Sequence, residues 1–250
     1  MTPIIRIRNL RKSFGKKHVL CGVNLDIMEE SITAIIGQSG TGKSVLFRSI
    51  MRMIEPDAGE VWFHDIDLAR LPRDEMLRIR SKFGYSFQNA ALFDSMSVAE
   101  NIAFPLREVV GIKNNKEIRK RVEKLLDWIE LPGIGKMHPD ELSGGMRKRV
   151  GIARSLAMEP EILLFDEPTT GLDPVLAETI HALVQRVNRE LGITCILITH
   201  NIPGAFAISD RIAFLDLGEI VAEGDPKEIT RSNHPLVREF LVQSFRELDV

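Results

Sequence analysis

The run Gly37-Gln38-Ser39-Gly40-Thr41-Gly42-Lys43-Ser44 has the types and spacing to hold a phosphate. The pattern is G-x-x-x-x-G-K-[ST]. A glycine-rich turn lets successive backbone N–H groups converge on phosphate oxygens, because no Cβ blocks their approach. A helix beginning at Lys43 adds the positive end of its dipole behind them. Lys43 supplies a cation for the terminal phosphates, and the Ser44 hydroxyl a ligand for Mg²⁺.

A second group of acids complements this loop. Ile162-Leu163-Leu164-Phe165 is an apolar run that ends in Asp166-Glu167. A strand next to the one that feeds the phosphate loop would place Asp166 near the water shell of Mg²⁺. Glu167 would then face the γ-phosphate, able to orient a water and take its proton. Two acids after a strand are commonly a solvated loop start; in company with a phosphate loop they read as the other half of a metal site.

The elements needed to position these groups are legible as alternating strand and helix patterns, which predict an α/β fold. Val23, Leu25 and Ile27 alternate as a half-buried strand does, and Ile32–Ile36 reads as a buried strand leading into the loop. A helix is expected over Lys43–Ile54, with Leu46, Ile50, Met53 and Ile54 on one face and Glu55-Pro56-Asp57 ending it. Further strands are expected at Val61–Phe63, Phe83–Phe87, Ile162–Phe165, Thr194–Thr199 and Arg211–Leu217. A turn at Leu217-Gly218-Glu219 leads into Ile220–Ala222.

Ile118, Val122, Leu125, Leu126 and Ile129 mark a helix. Val175, Leu176, Ile180, Leu183, Val184 and Val187 mark another. Asn114-Asn115 and Pro132-Gly133 punctuate loops between helices. The expected architecture is one domain over residues 1–250. Its mostly parallel core (1–88 and 160–225) has an antiparallel β edge near the N-terminus. A helical insertion spans 89–159 and a tail helix 226–250.

Composition sets limits on partners. Among 250 residues, 33 basic and 35 acidic side chains give a net charge of −2, which supplies no general attraction to nucleic acid or to an anionic membrane. The 44% hydrophobic and 27% charged shares are ordinary for a globular chain. No apolar stretch approaches the roughly 20 residues a spanning helix needs. Arg6, Arg8, Arg11 and Lys12 interrupt any signal-peptide core in the first fifteen or so residues. A cytoplasmic protein is expected. Cys21 and Cys195 read as reduced, buried thiols.

Leu142-Ser143-Gly144-Gly145-Met146 resembles the LSGGQ signature of ABC ATPases. Ser143 is a plausible helix N-cap, and Gly144 and Gly145 leave N–H groups uncovered for an anion. The resemblance covers about Ile4 to Gly224. It implies a head-to-tail dimer in which each ATP lies between the phosphate loop of one copy and the signature of the other. It also implies roles for single residues. Gln88 would bind Mg²⁺ and sense a permease, Phe14 would stack on adenine, Asp173 would belong to the D-loop that meets the other subunit, and His200 would bind the γ-phosphate. Phe14 read alone is also compatible with a core position. Met146 departs from the family's glutamine, while the serine and glycines that face phosphate are kept.

A narrower resemblance lies in Ser86–Arg107 (SFQNAALFDSMSVAENIAFPLR) and LSGGMRKRV. Both are similar to the ATPases of Mla-type transporters, which serve MCE-domain proteins in moving lipids between bacterial membranes. The resemblance implies an integral membrane permease as partner, and through it an MCE-domain protein. The chain would then sit on the inner face of the cell membrane. Ala90, Ala91, Leu92 and Phe93 would offer the permease an apolar surface. Arg147-Lys148-Arg149 reads as a solvated helix face in preference to a lipid patch. In the tail, Leu236, Phe240, Leu241, Phe245 and Leu248 fit an amphipathic helix packed on its own domain or on a second copy. An amino-acid or metal importer shares the same motifs. A soluble ABC protein acting on DNA or ribosomes, and a subunit that binds ATP without hydrolysing it, fit the sequence less well.

Overall fold

The structure, a computed structural model, describes residues 2–246. The chain opens with a long antiparallel hairpin, β1 (Pro3–Phe14) and β2 (Lys17–Met28), followed by β3 (Ile32–Ile36) and α1 (Lys43–Ile50). Next come β4 (Ala58–Phe63), β5 (Ile66–Asp67), α2 (Arg73–Arg80) and β6 (Phe83–Ser86). Three helices then follow one another, α3 (Val98–Glu108), α4 (Asn115–Trp128) and α5 (Gly144–Leu156). The chain returns to alternation with β7 (Ile162–Asp166), α6 (Pro174–Leu191), β8 (Thr194–Ile198), α7 (Ile202–Ile208), β9 (Arg211–Asp216) and β10 (Glu219–Gly224). It closes with α8 (Pro226–Thr230) and α9 (Pro235–Arg246).

Two sheets result. β2-β1-β4-β5 is antiparallel, and the larger sheet runs β10-β9-β3-β8-β7-β6 with only β10 antiparallel. Strand alternation divides the core. Ile35, Ile162, Leu164, Ile196, Ile198, Ala213 and Leu215 face α1 and the antiparallel sheet. Their chain neighbours Ala34, Ile36, Leu163, Phe165, Cys195, Leu197, Ile212 and Phe214 face the helices. Strands buried on both faces read as continuous apolar runs, as ILLF and CILI do. The helix-side cluster extends without a break into Ile102, Ile118, Val122 and Leu126 of α3 and α4.

Several expectations are corrected. β7 is not next to β3: β8 lies between them, so Asp166 is registered with Ile198. Sequence shows which runs are strands but not the order in which they pair. α1 stops at Ile50 because Arg52 turns left-handed (φ 50) and its N–H, with that of Met53, closes back on Ser49 and Arg48. That is a Schellman ending, and it leaves Met53 exposed. Val175 is likewise exposed, in the first turn of α6. β6 ends at Ser86, short of Phe87.

The tail forms two helices, because Asp225 and Pro226 start α8 with a capping box and Pro235 opens α9 anew. Phe240 packs on Phe214 and Phe245 on Phe206, so the tail packs on its own chain; Leu248 lies outside the described residues. Cys195 is buried, Cys21 only half-buried, and both are free thiols. Among the described residues, no helix is long and apolar enough to cross a membrane.

Candidate nucleotide site

The C-terminal ends of parallel strands are where an open α/β sheet collects ligand groups. Here the segments after β3, β6, β7 and β8 all reach one edge. A cavity of about 600 Å³ there is lined by Ser39, Gly40, Gly42, Lys43, Ser44, Gln88, Asp166, Glu167 and His200. Phe14, Lys17 and Val19 of the β1–β2 hairpin complete its wall.

The phosphate loop is held in one shape by steric necessity. Gly37 has φ 148, and a Cβ there would collide with the Leu215 carbonyl oxygen of β9. Gly42 has φ 107, and its Cβ would stand 2.9 Å from the Val19 oxygen. Gln38 and Thr41 are not among the residues lining the cavity; Thr41 Oγ1 braces the loop by donating to the Gln38 carbonyl oxygen at 2.9 Å. α1 begins without a side-chain cap and without an acid in its first turn, so its leading N–H groups stay available to an anion.

Lys43 is 8% exposed, and its Nζ donates to the carbonyls of Gly37 (2.7 Å) and Gln38 (2.8 Å). Burial pulls its pKa down, and the charges of Glu167 and Asp166 oppose that shift. An ammonium with no carboxylate in contact among the described residues is suited to meet phosphate charge.

Glu167 takes a left-handed backbone (φ 50), a conformation that costs an ordinary residue of order 1 kcal/mol or more. Several contacts hold it there. Its N–H donates to the Ile198 oxygen (2.9 Å), and its own carbonyl accepts from the buried Lys148 ammonium (3.3 Å). Its Oε2 meets His200 at both the backbone N–H (3.3 Å) and Nδ1 (2.8 Å). Asp166 accepts from the Tyr85 hydroxyl at 2.7 Å. Phe14 is 50% exposed, with the Lys12 ammonium 5.5 Å from its ring centre, so it is a cavity wall and not a core residue.

Four further expected site residues, Ser143, Gly144, Gly145 and Asp173, stand elsewhere. Ser143 caps α5, accepting from the Met146 N–H at 3.3 Å, and Gly144 and Gly145 lie against Leu172 and Leu176. None of the four lines the cavity. Asp173 caps α6 through the Leu176 N–H at 2.9 Å. A larger hollow of about 840 Å³ between α6 and α7 shares only His200 with the phosphate-loop cavity.

The basic triplet is a solvated face only in part: Arg147 is exposed and Arg149 half-buried, but Lys148 is buried. Arg147 donates to the Leu142 oxygen (2.7 Å), Lys148 to Glu167, and Arg149 to the Ile129 oxygen (3.2 Å). Ala90 is buried against Gly151 and not on the surface, because Arg154 draws the carbonyls of Ala90 (3.0 Å) and Ala91 (2.8 Å) onto α5. Phe93 remains exposed, beside Phe104. Tyr85, Lys148 and Arg154 were not legible as site residues. Each acts on a partner far away in sequence, and no local spacing marks such a pair.

The residues present fit a nucleoside triphosphate with its divalent cation. A glycine cradle, a buried ammonium and an exposed aromatic surround one cavity. Ser44, Gln88 and Asp166 bring hard oxygen atoms with a single carboxylate among them, which suits Mg²⁺, an ion that takes few protein ligands beside phosphate and water. The chain is thus of the phosphate-loop nucleotide-binding class.

The family can be stated more narrowly. The model of the ABC transporter family matches residues 20–170, and the chain belongs to that family. The methionine import ATP-binding protein MetN of Carboxydothermus hydrogenoformans is 41% identical over 95% of this chain and 71% of its own length. A probable ribonucleotide transport ATP-binding protein of Mycobacterium leprae is 38% identical over 96% of this chain and 69% of its own. Among solved structures, an ATP-binding cassette in a dimeric post-hydrolysis state with ADP and Pi superimposes with a TM-score of 0.80 at 35% identity. It covers 89% of this chain and 98% of that one. CbiO1 of Clostridium perfringens, part of an ABC transporter complex, gives 0.84 at 31%, covering 97% and 99%. The protein is an ATP-binding, ATP-hydrolysing subunit that uses ATP and Mg²⁺.

Proposed function

We propose that the chain works as a pair beneath an integral membrane permease, and that it drives the movement of phospholipid or another lipid between bacterial membranes. One observation carries the pairing. The cavity gathers the phosphate loop, Gln88, Asp166, Glu167 and His200, while Ser143, Gly144 and Gly145 offer an N–H cradle outside it. A second copy turned head to tail supplies the missing cradle.

Within this arrangement Phe14 stacks on adenine, and the N–H groups of Gly37–Ser44 with Lys43 hold the phosphates. Bound Mg²⁺ would neutralise charge between the terminal phosphates, held by Ser44, Asp166 and Gln88. Glu167 orients a water and takes its proton. His200 Nδ1 holds that carboxylate, which leaves Nε2 as the ring nitrogen for the γ-phosphate. Lys43 and His200 steady the charge that develops on the phosphoryl oxygens. Asp173, at the start of α6, meets the other copy.

The permease reading rests on the exposed Phe87 and Phe93 beside Gln88, an apolar surface at the sensing loop. The lipid reading, with an MCE-domain protein reached through the permease, rests on the resemblance of Ser86–Arg107 and LSGGMRKRV. A second reading, import of a small solute, is favoured by what the methionine and ribonucleotide relatives are named for. Tagged chain, purified from native membranes with its partners and analysed by mass spectrometry, separates the two. A permease with an MCE-domain protein and enriched phospholipid is the expected outcome. A permease with a solute-binding protein and no enriched lipid would replace the lipid reading.

A further inference from the structure

The side chain of Asp166 is held by a residue that the motifs do not include. Tyr85 donates its hydroxyl to Asp166 Oδ2 at 2.7 Å. The two side chains come from neighbouring parallel strands, with Tyr85 registered opposite Leu164 in β7. The tyrosine ring has little freedom. Phe47 meets it edge-on at 6.3 Å, and Phe87 lies against it at 4.3 Å.

We infer that Tyr85 is a positioning residue for the Mg²⁺-binding carboxylate: its hydroxyl engages Oδ2 of Asp166 and leaves Oδ1 to the ion's water shell. This rests on Asp166 being a Mg²⁺ residue, as proposed above. The alternative partner for a loose carboxylate is at hand, because Lys43 lines the same cavity and feels the Asp166 charge. Without the hydroxyl, Asp166 can turn toward that ammonium and withdraw from the metal. A phenylalanine would fill the same space between Phe47 and Phe87, so the ring alone does not do this. Groups that orient a metal's ligands are worth about 10–100-fold in metal affinity.

The test uses the full chain and the variant Tyr85→Phe. A fluorescent ATP analogue is titrated first in EDTA, then at fixed nucleotide with increasing Mg²⁺. The nucleotide affinity in EDTA should match that of the unaltered chain, and the half-saturating Mg²⁺ should rise about tenfold or more. Turnover at saturating Mg²⁺ should largely recover, a split that a general packing defect would not give.

Tyr85 is the single tyrosine in the chain, so 3-fluorotyrosine labelling gives one ¹⁹F signal. That signal should move when Mg²⁺ joins bound ATP. An unchanged Mg²⁺ requirement in Tyr85→Phe, with nucleotide bound normally, would overturn the role of Tyr85 alone. Nucleotide binding by the unaltered chain that ignores Mg²⁺ altogether would overturn the metal reading of Asp166 as well.

Discussion

Glu167 Oε2 and His200 Nδ1 lie 2.8 Å apart, joining the end of β7 to the end of β8 across the nucleotide cavity. The carboxylate is mostly buried and the imidazole largely exposed, so the histidine forms the outer side of the pair. This contact and the left-handed backbone at Glu167 fix the carboxylate in place before any substrate arrives. Glu167→Gln keeps the shape and removes the proton acceptor. Hydrolysis should slow by about 10²–10⁴-fold while ATP still binds. Phosphate release and equilibrium nucleotide binding, measured on the same sample, check both halves.

Lys43→Ala removes a cation that the loop carbonyls hold ready for phosphate. Nucleotide affinity should fall by at least tenfold, because one charge-assisted phosphate contact is worth about 1.5–3 kcal/mol. A titration with a fluorescent ATP analogue reads this directly, and an unchanged affinity would argue against the loop as the binding site.

Gly37→Ala should damage both fold and site. The added methyl meets the Leu215 carbonyl of β9, and φ 148 is itself costly for a residue with a side chain. A loss of stability of about 1–3 kcal/mol is expected from backbone strain alone. A thermal melt with and without ATP should show a lower midpoint and little stabilisation by nucleotide.

How much of this was legible beforehand follows from the range of each signal. Residues 37–44 and the run ILLFDE carry their chemistry locally, so both the loop and the acids could be read from spacing. The unbroken apolar run Ile162–Phe165 marked a buried strand. It could not reveal that β8 lies between β7 and β3, because pairing order depends on where the crossover helices run. Lys148 read as solvated because its neighbours are charged, yet the rotation of α5 carries it inward to the Glu167 carbonyl. Arg52 has no glycine's licence for the turn that ends α1, and only the hydrogen bonds back to Arg48 and Ser49 reveal it.

His181 gives a pH dependence whose sign can be worked out. It sits in α6, and its Nε2 is buried with no hydrogen-bond partner among the described residues. Burial lowers its pKa, and Glu178 opposes this. The unfolded chain therefore takes up a proton here at a pH where the folded chain does not. Stability is complete above the ordinary histidine value of about 6.5 and declines as pH drops through it toward the lowered folded value. Melting midpoints measured from pH 7.5 to 5.5 should fall more for the unaltered chain than for His181→Gln.

The central claim is that a second copy completes the site, and cross-linking tests it most directly. Cys21→Ser and Cys195→Ala give a chain without thiols. In the Glu167→Gln background, one such chain carries Ser39→Cys in the phosphate loop and a differently tagged one carries Ser143→Cys in the signature. The two are expressed together with their membrane partners and treated with a short bismaleimide. The account predicts a two-chain product carrying both tags that forms with ATP and Mg²⁺ and is lost without them. Efficient labelling of both thiols with no two-chain product at any nucleotide state would contradict it.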